Sequence, residues 1–207
     1  MTKVVFSHLQ KCGGTTIRRD FRKKYGKRFI YTNHRPFLGA KAGKVIYGNI
    51  RNPYAAYVSL WSFGCEGNGM LRRRVGKATP QLLKFYSKKT PENFRGWLRA
   101  LLGGRFPLRG GTVGHNGLMK HHKIGLLTQR FFRLYNKSRY GLLNSPKVNP
   151  LVDKFIRLEN LPKGRPIGKK TNHKPTAHYY NQATADLVWQ RDQYLFKKFG
   201  YPKLVFR

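Results

Sequence analysis

The first 26 residues constrain the fold more than any other part of this sequence. The apolar run KVVFSH (3–8) is typical of a strand, and it leads through Gly13 and Gly14 into TTIRRDFRKKY, which predicts a helix that ends at Gly26. Such a loop exposes backbone N–H groups at a helix N-terminus, where proteins bind phosphate groups. The common phosphate loop has its lysine after the glycines, whereas Lys11 precedes them here. A glycine-containing turn without a ligand is the alternative explanation at this point.

Further strands and helices follow in alternation. The strand-like runs are RFIYT (28–32), KVIYGNIR (44–51) and KFIRLENL (154–161). Helices are predicted from Pro53 through YAAYVSLW, over TPENFRGWLRALLGG with Thr90 as its cap, and as one final helix between Asn181 and Gly200; residues 126–135 fit either a strand or a helix. This order predicts an α/β fold, a P-loop-like three-layer sandwich with a central, mainly parallel sheet flanked by helices. We expect a single domain over residues 1–207.

The charge of the chain is extreme. It has 43 Lys and Arg against 7 Asp and Glu, a net charge of +36, and such a field attracts nucleic acid, anionic polysaccharide, acidic lipid or phosphate-rich cofactors. A hydrophobic content of 40% excludes a disordered basic tail. Two cysteines do not make a disulfide scaffold, and the N-terminus lacks the apolar stretch of a signal peptide or anchor. We therefore expect a soluble, cytoplasmic protein of bacterial or viral type, without a membrane partner.

A second segment, NIRNPYAAYVSLW (49–61), adds a further candidate phosphate site. Arg51 ends the third predicted strand, and Ser59 lies one to two turns into the next helix. The guanidinium fork and the hydroxyl are both groups that bind phosphate oxygens.

Together, FSHLQKCGGTTI and IRNPYAAYVSLW resemble the two phosphate-binding motifs of the sulfotransferases that use 3′-phosphoadenosine 5′-phosphosulfate (PAPS). The similarity is to the carbohydrate branch, which includes the heparan sulfate 2-O- and 6-O-sulfotransferases. KFIRLENL and the C-terminal YYNQATADLVWQRDQYLFKKFGYPK also resemble family elements, so the resemblance covers about half of the chain. Gln10, Cys12 and Ala56 depart from the usual motifs, and none of these departures removes a phosphate-binding group.

The resemblance implies a role for each matched residue. Lys11 would contact the 5′-phosphosulfate and stabilise charge on the bridging oxygen, and Arg51 with Ser59 would hold the 3′-phosphate. The residues that would surround the 5′-phosphosulfate are Cys12, Gly13, Gly14, Thr15 and Thr16. Residues 162–178 would close over the cofactor and supply Lys170, Asn172 and Lys174, and residues 65–150 would form an insert on the acceptor side.

Transfer to a hydroxyl needs a general base, and His34 is the candidate. No acidic residue lies between Asp20 and Arg51, and His34 follows the second predicted strand. This resembles the placement of the histidine base in the heparan sulfate 2-O-sulfotransferases, and the pKa of histidine suits the role. A loop histidine that hydrogen-bonds a carbonyl is the alternative. His115, His121 and His122 could be metal ligands, although an acceptor-contacting or solvated surface explains them better.

The sequence thus predicts a sulfotransferase that moves a sulfuryl group from PAPS to a hydroxyl of an acceptor, releases PAP and needs no metal. The acceptor is expected to be a glycan, neutral or anionic, and nonspecific polyanion binding fits the charge. The alternative is a basic nucleic-acid-binding or virion-associated protein that has the fold without the catalysis. A P-loop kinase is disfavoured because the Walker order and a Walker-B acid are missing.

Overall fold

A parallel four-stranded sheet forms the centre of the first of two compact units. Its strands are β1 (Lys3–Ser7), β2 (Phe29–Asn33), β3 (Lys44–Ile50) and β4 (Lys154–Arg157), in the spatial order β2-β1-β3-β4. All three neighbouring pairs are parallel. The structure, a computed structural model, describes residues 1–105, 124–136, 151–162 and 171–206. The predicted α/β class with a parallel sheet is confirmed.

Seven helices lie in the described ranges. They are α1 (Gly14–Tyr25), α2 (Pro53–Cys65), α3 (Met70–Ala78), α4 (Pro91–Leu102), α5 (Leu126–Tyr135), α6 (Gln182–Arg191) and α7 (Gln193–Phe199). Within those ranges, no helix combines the length and the apolar character that crossing a bilayer requires. The first unit comprises residues 1–51 and 130–170, and the second comprises residues 52–129 and 171–207. The single domain and the acceptor-side insert remain predictions.

Helices cover both faces of the sheet. On one face, the ring of Phe21 in α1 packs 5.0 Å from the ring of Tyr47 in β3. Gly48 is the next residue of β3, so its partner on β4, Phe155, belongs to the opposite face. There Phe155 stacks on Phe131 of α5, with 5.4 Å between ring centroids. Helix, sheet and helix form the three layers that the strand–helix alternation predicts.

Aromatic packing around α2 forms the core of the second unit. Nine of the 13 residues of α2 are buried, which is typical of a helix surrounded by protein. The Trp61 ring lies 5.3 Å from the rings of both Phe94 and Tyr179. Thr90 caps α4 as predicted, because its side chain accepts the N–H of Asn93. The aromatic contacts explain why the apolar residues of α2 lie all around the helix and not on one face.

The predicted single C-terminal helix is wrong, because the chain breaks into α6 and α7 at Asp192. This residue is fully buried, and its carboxylate accepts the Tyr57 hydroxyl at 2.6 Å and the Thr128 N–H and hydroxyl at 2.8 and 2.7 Å. Its backbone leaves the helical region at φ −110° and ψ 23°, and its carbonyl then accepts the N–H of Leu195. Aspartate is a poor residue for a helix interior, and here it ends one helix and starts the next.

Three other segments refine the predictions. Residues 126–135, which fitted either a strand or a helix, form α5. The fourth strand ends at Arg157, and residues Leu158–Asn160 form a 3-10 turn, so the predicted strand over 154–161 is too long. Neither α3 nor the 3-10 segment Pro80–Tyr86 had a clear signal in the sequence.

A buried hydrogen-bond network fixes the loop that follows β1. The Tyr135 hydroxyl accepts the N–H of Leu9 at 3.0 Å and the N–H of Asn49 at 3.1 Å, and lies 3.2 Å from the Ser7 carbonyl. The Asn49 side chain accepts the Leu9 N–H at 2.6 Å and donates to the Cys12 carbonyl at 2.6 Å. Tyr135 and Asn49 are both fully buried, so water does not replace these bonds.

Replacing Tyr135 by Phe is expected to lower the free energy of unfolding by about 1–3 kcal/mol, because buried backbone groups lose a partner. Urea unfolding would measure the loss. Tyr25→Phe, which removes a hydroxyl bonded to the Tyr47 side chain at a half-buried position at the end of α1, is the control and should cost less than the Tyr135 change. Equal losses in the two variants would contradict a structural role of the Tyr135 hydroxyl.

Candidate functional site at the carboxyl ends of the strands

The carboxyl ends of the parallel strands bring several predicted site residues of the first unit to one edge. The loop that contains Lys11 follows β1, His34 follows β2, and Arg51 follows β3. The chain leaves β1 for β2 on one side and later returns to β3 on the other side. The end of β1 is therefore a topological switch point, where open α/β sheets bind ligands.

The loop between β1 and α1 has an unusual backbone. Lys11 has φ 62° and Gly13 has φ 78°, both in the left-handed region that lysine rarely adopts. The Lys11 carbonyl accepts Nη1 of Arg51 at 3.3 Å, which joins the loop to the end of β3. Cys12 is fully buried, and desolvation raises the pKa of its thiol to about 12. Any contact of Cys12 with a ligand would therefore use its backbone.

Packing requires glycine at both positions of the Gly-Gly motif. A Cβ on Gly14 would collide with the His8 ring, and a Cβ on Gly13 would collide with the side chain of Leu158. Gly13 also needs its positive φ. The Gly-Gly pair is thus explained by the close approach of protein atoms, and the case for a ligand depends on the neighbouring groups.

Those neighbouring groups suit an anion. The first hydrogen bond of α1 runs from the Ile17 N–H to the Gly13 carbonyl at 3.2 Å. The N–H groups of residues 14–16 therefore lie before the first backbone hydrogen bond of the helix. Thr15 is exposed and Thr16 is buried. The Lys11 loop, Arg51 and the first turn of α1 thus contain ammonium, guanidinium, hydroxyl and N–H groups, and each of these is a donor suited to phosphate oxygens.

His34 and His8 form a close pair beside this loop. Nδ1 of His34 lies 2.9 Å from the His8 carbonyl, and the two rings meet edge to face at 4.0 Å. A carbonyl only accepts, so Nδ1 of His34 donates and Nε2 is the acceptor nitrogen of the neutral ring. Nδ1 of His8 bonds the Tyr31 hydroxyl at 2.6 Å. Desolvation lowers the pKa of His8 to about 3 and lowers the pKa of His34 below its ordinary value.

The other predicted phosphate residues lie in the second unit. Ser59 is buried in α2, and its hydroxyl lies 3.3 Å from the hydroxyl of Thr171. The Asn172 backbone N–H donates to Glu66, and the Lys174 N–H donates to the Tyr179 hydroxyl; the Asn172 and Lys174 residues are exposed. Lys170 and the histidines 115, 121 and 122 lie outside the described residues. A shared phosphate for Arg51 and Ser59 stays a prediction.

Three residues near the loop had not been predicted. Asn49 and Tyr135 hold the loop backbone, and Arg130 of α5 is buried with a charge that helps lower the pKa of His34 and acts on Cys12. Asn49 had a weak signal, since the side chain of an asparagine inside an apolar strand needs a hydrogen-bond partner when it is buried. Arg130 and Tyr135 had none, because they belong to a segment whose secondary structure was ambiguous.

Comparisons with known proteins add no family: no family model, no curated protein and no solved structure matches this chain. Within the described ranges, His, Cys, Asp and Glu side chains do not gather into a group of three that could hold a metal ion. The interpretation of the site therefore depends on its own residues.

Acidification should reveal the buried state of His8. Its native pKa of about 3 lies below the unfolded value of 6.5, so the unfolded chain binds a proton between these values and the native state does not. Lowering the pH from 7 to 5 should cost the wild type about 2 kcal/mol of unfolding free energy more than His8→Phe, which keeps a ring against Tyr31. Urea unfolding at each pH measures the difference. The exposed His178→Phe should follow the wild-type profile, and parallel profiles for His8→Phe and wild type would refute the burial effect.

Proposed function

We propose that this protein transfers a sulfuryl group from PAPS to a hydroxyl of a carbohydrate acceptor. The observation that carries the proposal is the hydrogen bond from His34 Nδ1 to the carbonyl of His8, the residue that leads into the Lys11 loop. This bond leaves Nε2 as a proton acceptor at the edge where the anion-binding groups gather. A general base needs a neutral imidazole with an unprotonated nitrogen, and this tautomer provides one at Nε2.

The donor set of the first unit supports an anionic sulfuryl donor. Lys11 and Arg51 supply positive charge, Thr15 supplies an exposed hydroxyl, and the first turn of α1 supplies N–H groups. When bound, PAPS supplies an activated sulfuryl group. The Lys11 ammonium is proposed to stabilise the negative charge of the leaving phosphate, which lysine does as a compact point charge.

His34 is proposed to accept the proton of the acceptor hydroxyl at Nε2. The acceptor oxygen forms the new bond to sulfur as the bond from sulfur to the phosphate oxygen breaks, and the proton moves to the imidazole. The lowered pKa of His34 favours the neutral base, because burial and the Arg130 charge both disfavour imidazolium. The neutral form therefore persists to a lower pH than in an ordinary histidine.

The charge of +36 favours a second candidate function, a nucleic-acid-binding or virion-associated protein that retains the fold without catalysis. Phosphate backbones would bind to such a surface without selecting an adenine nucleotide. Salt dependence and ligand preference separate this candidate from the enzyme.

The first test is calorimetric titration of the whole chain with PAP, ATP and a short duplex DNA at moderate salt. We expect saturable one-to-one binding of PAP in preference to ATP, and a loss of about tenfold or more in Lys11→Ala, because a charged hydrogen bond is removed. Lys27→Ala, an exposed lysine after α1, should bind PAP like the wild type. Equal affinity for PAP, ATP and DNA would instead support the second candidate.

The second test concerns the base. In His34→Ala, PAP affinity should stay nearly unchanged while turnover on a glycan acceptor falls about 100-fold. Because the pKa of His34 is lowered, the acid limb of kcat/KM in the wild type should fall below the usual histidine range. His178→Ala, at an exposed position, is the control. Full turnover in His34→Ala would move the base elsewhere.

A further inference from the structure

A cavity of about 230 Å³ lies along one face of α1. The described residues that line it are Thr15, Thr16, Arg18, Arg19 and Arg22. Residues 15, 18, 19 and 22 follow the three- and four-residue spacing of one helical face, so their side chains project over the same strip of surface. The guanidinium groups come from the second and third turns of the helix, beyond the phosphate loop itself.

One of these guanidinium groups is held in place by the sheet. The guanidinium carbon of Arg18 lies 5.1 Å from the centre of the Tyr31 ring, and Arg18 hydrogen-bonds the Tyr31 side chain. Tyr31 is itself fixed, since its hydroxyl bonds Nδ1 of His8 at 2.6 Å and donates to Asn33 at 3.1 Å. An arginine stacked in this way loses little freedom when it binds an anion.

The charge around the cavity is poorly balanced. Asp20 lies 3.8 Å from Arg19, and this contact is exposed and weak. The other six acidic residues of the chain are Glu66, Glu92, Asp153, Glu159, Asp186 and Asp192, and none of them lines the cavity. Three arginines line one concavity, so their charges repel one another and focus a positive potential there. A bound anion relieves that repulsion.

We propose that this cavity is a second oxyanion site, which binds a phosphate or sulfate group through Arg18, Arg19 and Arg22. Arginine forks match the paired oxygens of such tetrahedral groups, and this chemistry is the same in a free ion and in an ester. The site adjoins the Lys11 loop through Thr15 and Thr16. It does not depend on the proposed transferase activity, because its ligand need not be a sulfuryl donor.

The test is calorimetric titration with sodium sulfate, inorganic phosphate and glucose 6-phosphate, at ionic strength held constant with chloride. Each titration is run with and without saturating PAP. Arg22→Gln should weaken binding of the oxyanion about tenfold, because a charged hydrogen bond is lost. Arg18→Lys keeps the charge but loses the fork and the stacking, and it should also weaken binding. Arg22 is exposed, so Arg22→Gln removes no core packing.

Arg28→Gln is the matched control, since Arg28 is exposed just beyond α1, does not line the cavity, and carries the same charge. The second site would be established by three results together. Oxyanion binding is weakened by Arg22→Gln, is unchanged in Arg28→Gln, and persists in saturating PAP. Preference between the free ions and glucose 6-phosphate then identifies an ion site or an ester site. Equal weakening in Arg28→Gln would mean a diffuse field, and displacement of sulfate by PAP would mean one shared site; either result overturns the proposal. Failure to bind PAP concerns only the proposed function.

Discussion

The buried pair of Tyr135 and Asn49 is the constraint on which the candidate site depends. Their side chains hydrogen-bond the N–H of Leu9 and the carbonyl of Cys12 inside the protein. A buried backbone group without a partner would lower the free energy of unfolding by about 1–3 kcal/mol. With the loop held on both sides, Lys11 adopts a left-handed backbone that lysine rarely adopts unaided. Two polar side chains from β3 and α5 thus stabilise a strained loop at the end of β1.

His8 connects the packing of this loop with its electrostatics. Its ring occupies the space that a side chain at residue 14 would need, and its carbonyl orients His34. Desolvation lowers the pKa of both imidazoles, and the charges of Arg18 at His8 and of Arg130 at His34 act in the same direction, so the neutral forms are favoured. A neutral imidazole adds no repulsion to a cationic edge and keeps a lone pair for a proton. The same burial therefore serves stability of the loop and the chemistry proposed for His34.

Local sequence signals were reliable where a short segment determines its own structure. The β-branched and aromatic run at residues 3–7 forms β1, Pro53 starts α2, and the Thr90 cap starts α4, as predicted. Prediction failed where a distant partner decides. Asp192 breaks the last helix because Tyr57 and Thr128 bind its carboxylate, and these partners lie more than 60 residues away in the chain. Helix propensity alone gives no account of such a buried carboxylate.

By itself, the sequence determined the parallel α/β sheet, the glycine loop after β1 and the positions of Lys11, His34 and Arg51 near strand ends. These features follow from periodicity, turn residues and chain order, which are local properties. Only the tertiary structure decided the packing reason for Gly14, the tautomer of His34 and the buried partners of the loop. Each of these depends on atoms brought together across many residues, so no local pattern encodes them. Folding brings polar residues that are scattered along the basic chain to one edge of the sheet. The fold then sets the distances between them and the burial of each side chain.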